Sequence, residues 1–345
     1  MIVFQSTILN LHIAVNGKRF AAFITAMGVS FLLGACTDQG PMDSSANQAF
    51  AQNAITGDKV DVLWVIDTSG SMSQNQQNVA AQLPSMIAAF NSVGLDYKMA
   101  VTTMDMTPNG EMGRFLTTGG AAVLTEATPD MSSIISNRIY VGDYDWHPPT
   151  TGLESVQAAL SGTNTVSGPN AGFLRPNALL VLIFVTGGND VSPVSTNPNG
   201  YQGWLDQIRP NSPFGQKTWV AQLVGILPTD SNCQTSTWQS DAPSTAYIGL
   251  ANYSGGTAAS ICGSNLSAAL KSITNNVLGL VTAYPLNQIP ALNSIQVLVN
   301  GVVVPNTATN GWTYVQATNT VQFNGSAIPK VSDAVVVNFT PGTLN

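Results

Sequence analysis

Three stretches of the chain are almost uninterrupted in β-branched, aliphatic and aromatic side chains: residues 60–66 (VDVLWVI), 178–185 (ALLVLIFV) and 218–226 (TWVAQLVGI). Continuous rather than alternating apolar character marks strands buried on both faces, the habit of parallel sheets covered by helices. Between them the period changes. Val79, Leu83, Met86, Ile87 and Phe90 form a helical stripe in which Pro84 predicts a kink or a late start. Residues 97–103 read as a further strand, a helix opens at Gly152 with Leu153, Val156 and Leu160 inward, and a short helix covers residues 201–208. Leu266, Leu270, Ile273, Val277 and Leu280 give the clearest helix of the chain. Strand and helix alternate, so an α/β, doubly wound, mostly parallel and three-layered sheet is expected.

After residue 284 the texture changes to short β-rich runs at 294–300, 312–315, 320–323 and 333–339, punctuated by Asn300-Gly301, Asn310-Gly311 and Asn324-Gly325. Such pairs are turn signals, and residues 285–345 are expected to form a small antiparallel β-domain.

The N-terminus has a different logic. Lys18 and Arg19 precede an apolar stretch, residues 20–33, that ends in Leu33-Gly34-Ala35-Cys36. A basic start, a short apolar run and small residues at its end are the anatomy of a secretory signal. The closing tetrapeptide resembles a bacterial lipobox, which implies that residues 1–35 are removed and that Cys36 is lipidated. A long segment precedes Lys18, so an alternative start codon near Val15 is an option. Several acyl chains suffice for stable membrane attachment where one does not. Thr37, rather than Asp, follows the cysteine, which implies outer-membrane delivery in a two-membrane envelope. Residues 36–56 then read as a flexible polar tether, and 57–284 as the main domain.

Charge and cysteine usage agree with export. The whole chain carries a formal net charge of -7, and removal of residues 1–35 takes away two cations and no acid. Nucleic acid is therefore excluded as a natural partner. With Cys36 assigned to lipid, Cys233 and Cys262 remain as an even pair in an oxidising compartment, and one disulfide is expected.

The candidate chemistry follows the first strand, which runs into Asp67-Thr68-Ser69-Gly70-Ser71-Met72. A loop at the carboxyl end of a central strand is where open α/β sheets bind ligands. Asp67, Ser69 and Ser71 offer hard oxygen atoms of the kind Mg²⁺ or Mn²⁺ prefers, with Ca²⁺ a further option. Taken alone, such residues serve more often to cap a following helix than to hold a metal. In context, the string 65–72 resembles the metal-ion-dependent adhesion site of von Willebrand factor type A domains. Residues 173–192 and 247–256 are similar to segments of bacterial lipoproteins carrying such domains, so the resemblance spans residues 57–281. It implies a threonine ligand, matched by Thr150 or Thr151, and a further acidic ligand after a later strand. That last position is Gly187 here, with Asp190 nearby as a contributor through water. Fewer carboxylates mean weak or partner-assisted metal binding.

Other chemistries have less to stand on. His147 is the lone histidine after the signal, which leaves no zinc cluster, and no Gly-x-Ser-x-Gly elbow, P-loop or Gly-x-Gly-x-x-Gly fingerprint follows any strand. The tryptophans are scattered over unrelated elements, which suits packing better than sugar stacking. The resulting expectation is a non-enzymatic, envelope-anchored binding or scaffolding lipoprotein that captures an acidic side chain of a protein partner through the metal. The competing expectation is a metal-independent structural or assembly lipoprotein that keeps the fold as a scaffold.

Overall fold

The computed structural model describes residues 46–50, 59–142, 149–213, 215–230, 243–263, 265–330 and 332–342. The expected signal, Cys36, Cys233 and His147 lie outside them.

In chain order the elements are β1 (Ala46–Phe50), β2 (Lys59–Ile66), α1 (Ser73–Ala80), α2 (Leu83–Val93), β3 (Asp96–Thr103), β4 (Leu124–Thr125), α3 (Met131–Ile139), α4 (Gly152–Ala159), α5 (Gly162–Val166), β5 (Leu179–Val185), α6 (Pro198–Ile208), β6 (Trp219–Gly225), α7 (Thr245–Ser254), β7 (Ala258–Ser260) and α8 (Ser267–Val281). Then follow β8 (Ala283–Pro285), β9 (Gln296–Val299), β10 (Val302–Val304), β11 (Gly311–Val315), β12 (Thr320–Asn324) and β13 (Val335–Phe339), with short 3₁₀ turns between.

Six strands form the main sheet in the order β4-β3-β2-β5-β6-β7, parallel except for β4. Successive residues of β2 point to opposite faces, so Val60, Val62, Trp64 and Ile66 enter one core with α2 and α8, and Leu63 and Val65 enter the other with α4, α6 and α7. Every residue of β5 and of β6 is buried. Their nearly continuous hydrophobicity, broken in β6 by Gln222, whose amide hydrogen-bonds to Asn276 and Thr257, is thus the requirement of a strand covered twice. This layered, mostly parallel sheet is consistent with a type A-like α/β fold.

Pro84 acts as expected. The helical stripe is split at Ala81 and Gln82, and α2 starts afresh with the proline in its first turn, where its missing N–H costs nothing.

The remaining strands form two antiparallel sheets, β1-β13-β9-β10 and β11-β12-β8, that share one core containing Tyr284, Val297, Trp312, Phe323, Val337 and Phe339. Of the three Asn-Gly signals, Asn300-Gly301 makes a two-residue hairpin: Val299 pairs with Val302, and both turn residues have positive φ, 50° and 80°. Gly311 and Gly325 instead begin a strand and a 3₁₀ turn.

Two boundaries need correction. Residues 36–56 were expected to be loose tether throughout, but residues 46–50 are β1, paired antiparallel with β13 from Ala46 opposite Phe339 to Phe50 opposite Val335. A strand that short and polar carries no period of its own; the open edge of β13 defines it. The β-region also begins slightly before residue 285, because β8 already pairs with β12.

Candidate metal centre

Chain order around β2 creates the site. The chain moves from β2 to β3 on one side and later returns to place β5 on the other, so strand order reverses between β2 and β5. The carboxyl ends of two strands at such a switch point leave a crevice. Asp67 follows β2 and Thr186-Gly187 follows β5, and the two loops are tied by the Asp67 N–H donating to the Val185 carbonyl at 3.0 Å.

Asp67 is only 2% exposed. One carboxylate oxygen accepts from the Ser69 N–H at 2.9 Å, the other from the Thr186 hydroxyl at 3.0 Å and the Gly187 N–H at 3.1 Å. Its backbone carbonyl accepts from the Gln76 amide at 2.9 Å, and the Gln76 carbonyl oxygen in turn accepts from the Gly142 N–H at 3.0 Å. No ion pair to Asp67 occurs among the described residues. The carboxylate is thus oriented entirely by neutral dipoles.

The hydroxyls of Ser69 and Ser71 lie 3.5 Å apart and make no other side-chain hydrogen bond among the described residues. Just before them in sequence, the Thr68 hydroxyl is buried without a hydrogen-bond partner among the described residues. Orphaned buried hydroxyls are uncommon and call for a physical reason.

Thr150 and Thr151 separate in role. Thr150 donates its proton to the Asn189 carbonyl at 2.6 Å, leaving lone pairs on the hydroxyl, and it lies against Gly188 in the loop after β5. Thr151 donates to the Met104 carbonyl at 2.7 Å, at the end of β3.

Asp190, expected to reach the ion through water, is committed elsewhere. Its oxygens accept from the Leu153 N–H at 2.9 Å, the Tyr247 hydroxyl at 2.8 Å, the Ser192 N–H at 2.9 Å and the Ser192 hydroxyl. It holds the N-terminus of α4, where a carboxylate meets unpaired N–H groups and the positive end of the helix dipole. Burial, with Asp190 and Asp67 adding to it, pushes the Tyr247 phenol well above its ordinary range, so it remains a donor. The same hydroxyl accepts from the Gly152 N–H at 3.2 Å. A Cβ at Gly152 would sit 2.6 Å from that oxygen, so the helix opens on glycine because nothing larger fits.

Sequence reasoning missed Gln76, Thr186 and Tyr247. Thr186 directly follows a recognised strand and was legible by position; Tyr247 acts across 57 residues, and Gln76, though only nine residues from Asp67, reads as an ordinary polar helix position. Among the described residues no group of three or more His, Cys, Asp or Glu side chains could hold a metal. The donor set is one carboxylate with several hydroxyls, which fits a hard divalent ion that keeps most of its water.

No family model matches the chain, and no curated protein matches it. Solved structures similar to it include proximal thread matrix protein 1 of the mussel byssus, at 14% identity and TM-score 0.40 over 67% of this chain and 49% of that one. Another is a von Willebrand factor type A protein from Catenulispora acidiphila, at 13% identity and TM-score 0.38, covering 87% and 66%. A third is the pilus adhesin SpaC from Lactobacillus rhamnosus GG in its open conformation, at 10% identity and TM-score 0.45, covering 86% and 40%. The chain therefore spans about half of the mussel protein's length. Likeness at this level is remote, and the fold assignment rests on the strand order given above.

Proposed function

We propose that the protein is a non-enzymatic binding module of the cell envelope, in which Asp67, Ser69, Ser71 and Thr150 hold a divalent cation for capture of a protein partner. The observation that carries this reading is a buried carboxylate with no described cationic partner, set beside hydroxyls with spare lone pairs at the switch point of the sheet. Thr150 is preferred to Thr151 because it lies against the loop that also touches Asp67. Asp67, Ser69, Ser71 and Thr150 would hold the ion, Mg²⁺ or Mn²⁺, which when bound would offer Lewis acidity toward an acidic side chain of the partner. The residues of the chain fix the carboxylate through Ser69, Thr186 and Gly187, and fix the loop through Gln76.

Because Gly187 stands where a second carboxylate is expected and Asp190 is engaged with α4, the site carries a single formal negative charge. A low charge count weakens affinity for the ion but leaves it electrophilic toward a partner's acid. The expected setting is an exported lipoprotein acylated at Cys36 and closed by a Cys233–Cys262 disulfide.

Calorimetric titration of Mg²⁺ and Mn²⁺ into the full chain, beside Asp67→Ala, tests the proposal. Binding in the native chain that disappears in the variant supports it. Absence of binding at millimolar metal in both transfers the assignment to a metal-independent scaffold.

A further inference from the structure

A cavity lies at the opposite end of the sheet from Asp67, where the β-domain packs beneath the α/β layers. It has a volume of about 370 Å³ and is lined by the first residues of two strands, Leu179 and Trp219, by the end of α7, and by Val315, Thr320 and Gln322 of the β-domain. Binding pockets for small molecules begin at roughly 300 Å³, so this one suits a single ring better than a chain.

Its polar equipment is specific. Asp206 organises one wall: it accepts from Lys217 at 2.6 Å, from the Trp219 indole N–H at 2.8 Å and from the Tyr253 hydroxyl at 2.6 Å. The Lys217 ammonium lies 4.0 Å from the centroid of the Tyr253 ring. Tyr253 is thereby fixed at both its hydroxyl and its ring, yet it remains 42% exposed, an oriented aromatic group open to solvent. On the other wall Gln322 extends over Gly279 so closely that a Cβ there would meet its amide nitrogen at 2.3 Å. The side-chain amides of Asn252 and Gln322 hydrogen-bond to no other described residue.

These features select a ligand by exclusion. Lys217 alone is charged among the described lining residues, and Asp206 already matches it, so an ionic ligand gains nothing that it does not also disrupt. A purely apolar ligand would strip water from the two amides without replacing its hydrogen bonds. A sugar ring presents an apolar C–H face to an aromatic side chain and hydroxyls to amides at the same time. We propose that this cleft is a binding site for a neutral saccharide ring, stacked on Tyr253 and hydrogen-bonded by Asn252 and Gln322. The site is independent of the metal loop.

Saturation-transfer NMR on the full chain tests this, with methyl glycosides of glucose, galactose and N-acetylglucosamine and their β-1,4-linked disaccharides as probes. At least one probe is expected to receive saturation at its ring C–H protons, with a dissociation constant on the order of 1 mM. Tyr253→Ala and Asn252→Ala should each weaken binding about tenfold or more, whereas Asp67→Ala should leave it unchanged. Asn252 is an exposed residue that makes no described side-chain contact of this kind, so its variant decides the matter if Tyr253→Ala melts early. No saturation with any probe at about 10 mM, or saturation undiminished in Asn252→Ala, overturns the assignment.

Discussion

Two buried aspartates at the two ends of β2, Asp61 within it and Asp67 just past it, have opposite surroundings. Asp61, near the start of β2, is fully buried and faces guanidinium groups: Arg175 donates to it from its Nε at 2.8 Å and its backbone N–H at 2.7 Å, and Arg209 approaches at 3.5 Å. Arg175 also reaches Asp96, so the foot of the sheet is a closed ionic network. Asp67, just past the other end of the strand, is nearly as buried but is held only by N–H groups and a hydroxyl. Burial opposes both charges, and at Asp61 the protein supplies its own cations. At Asp67 dipoles orient the carboxylate and leave its charge available to a cation from solution. The first arrangement fastens the fold, and the second serves binding.

The largest effect should come from breaking the closed network. Asp61→Ala leaves Arg209 without an anion and Arg175 with Asp96 alone, a loss expected to cost about 3–5 kcal/mol in urea unfolding. That loss should be the same with and without Mg²⁺.

The reverse is expected at the other end of β2. If Asp67 holds an ion, a hundredfold excess of Mg²⁺ over its dissociation constant should stabilise the native chain by about 2.7 kcal/mol. Asp67→Asn should abolish that increment. An equal response of both chains to Mg²⁺ would remove the distinction between the two aspartates.

Gly187→Asp sharpens the comparison by adding the carboxylate that the resemblance leads one to expect. Gly187 has no positive φ, so an ordinary side chain is compatible with its backbone. Mg²⁺ affinity measured by calorimetry should rise about tenfold, roughly 1.4 kcal/mol. Unchanged affinity would mean that this position does not face the ion.

What could be read from the sequence divides along the same physical line. Strands β2, β5 and β6 declared themselves because both of their faces are buried, and the Asn300-Gly301 hairpin because positive φ at two successive positions restricts the choice of residue. Asp67, Ser69 and Ser71 were visible as a local string on a recognised strand. The role of Asp190 was not, since its contacts with Leu153 and Tyr247 span 37 and 57 residues. Helix α3 was equally silent: it turns Arg138 inward, where the guanidinium binds the carbonyls of Thr118, Ala121 and Ala122, and an arginine on the inner face disguises the stripe. Strand β1 has no signal because its pairing partner, β13, lies at the far end of the chain.

The smallest expected effect is one of pH, and it sets Asp61 against a third aspartate. Burial works to raise the Asp206 carboxyl, but hydrogen bonds from Lys217, Tyr253 and Trp219 and the Lys217 charge outweigh it and hold the group below its ordinary value of 3.8. A folded-state value below the unfolded one stabilises the fold fully above the unfolded pKa, and that contribution is lost as pH falls through the folded pKa. For Asp61, burial dominates the opposing Arg175 contacts and the carboxyl is raised. The sign is then reversed: the cost of burying the ionised group is present above the folded pKa and relieved as pH falls through it. Urea midpoints measured from about pH 6 to about pH 2 should therefore show less acid destabilisation in Asp206→Asn than in the native chain. The difference should be modest, because the Asp206 side chain is 29% exposed and solvent screens its pair with Lys217. Side-chain carboxyl NMR shifts followed through the same range should place the Asp206 titration below that of Asp61, and the opposite order would show that the foot of the sheet, rather than this surface pair, is the better compensated of the two.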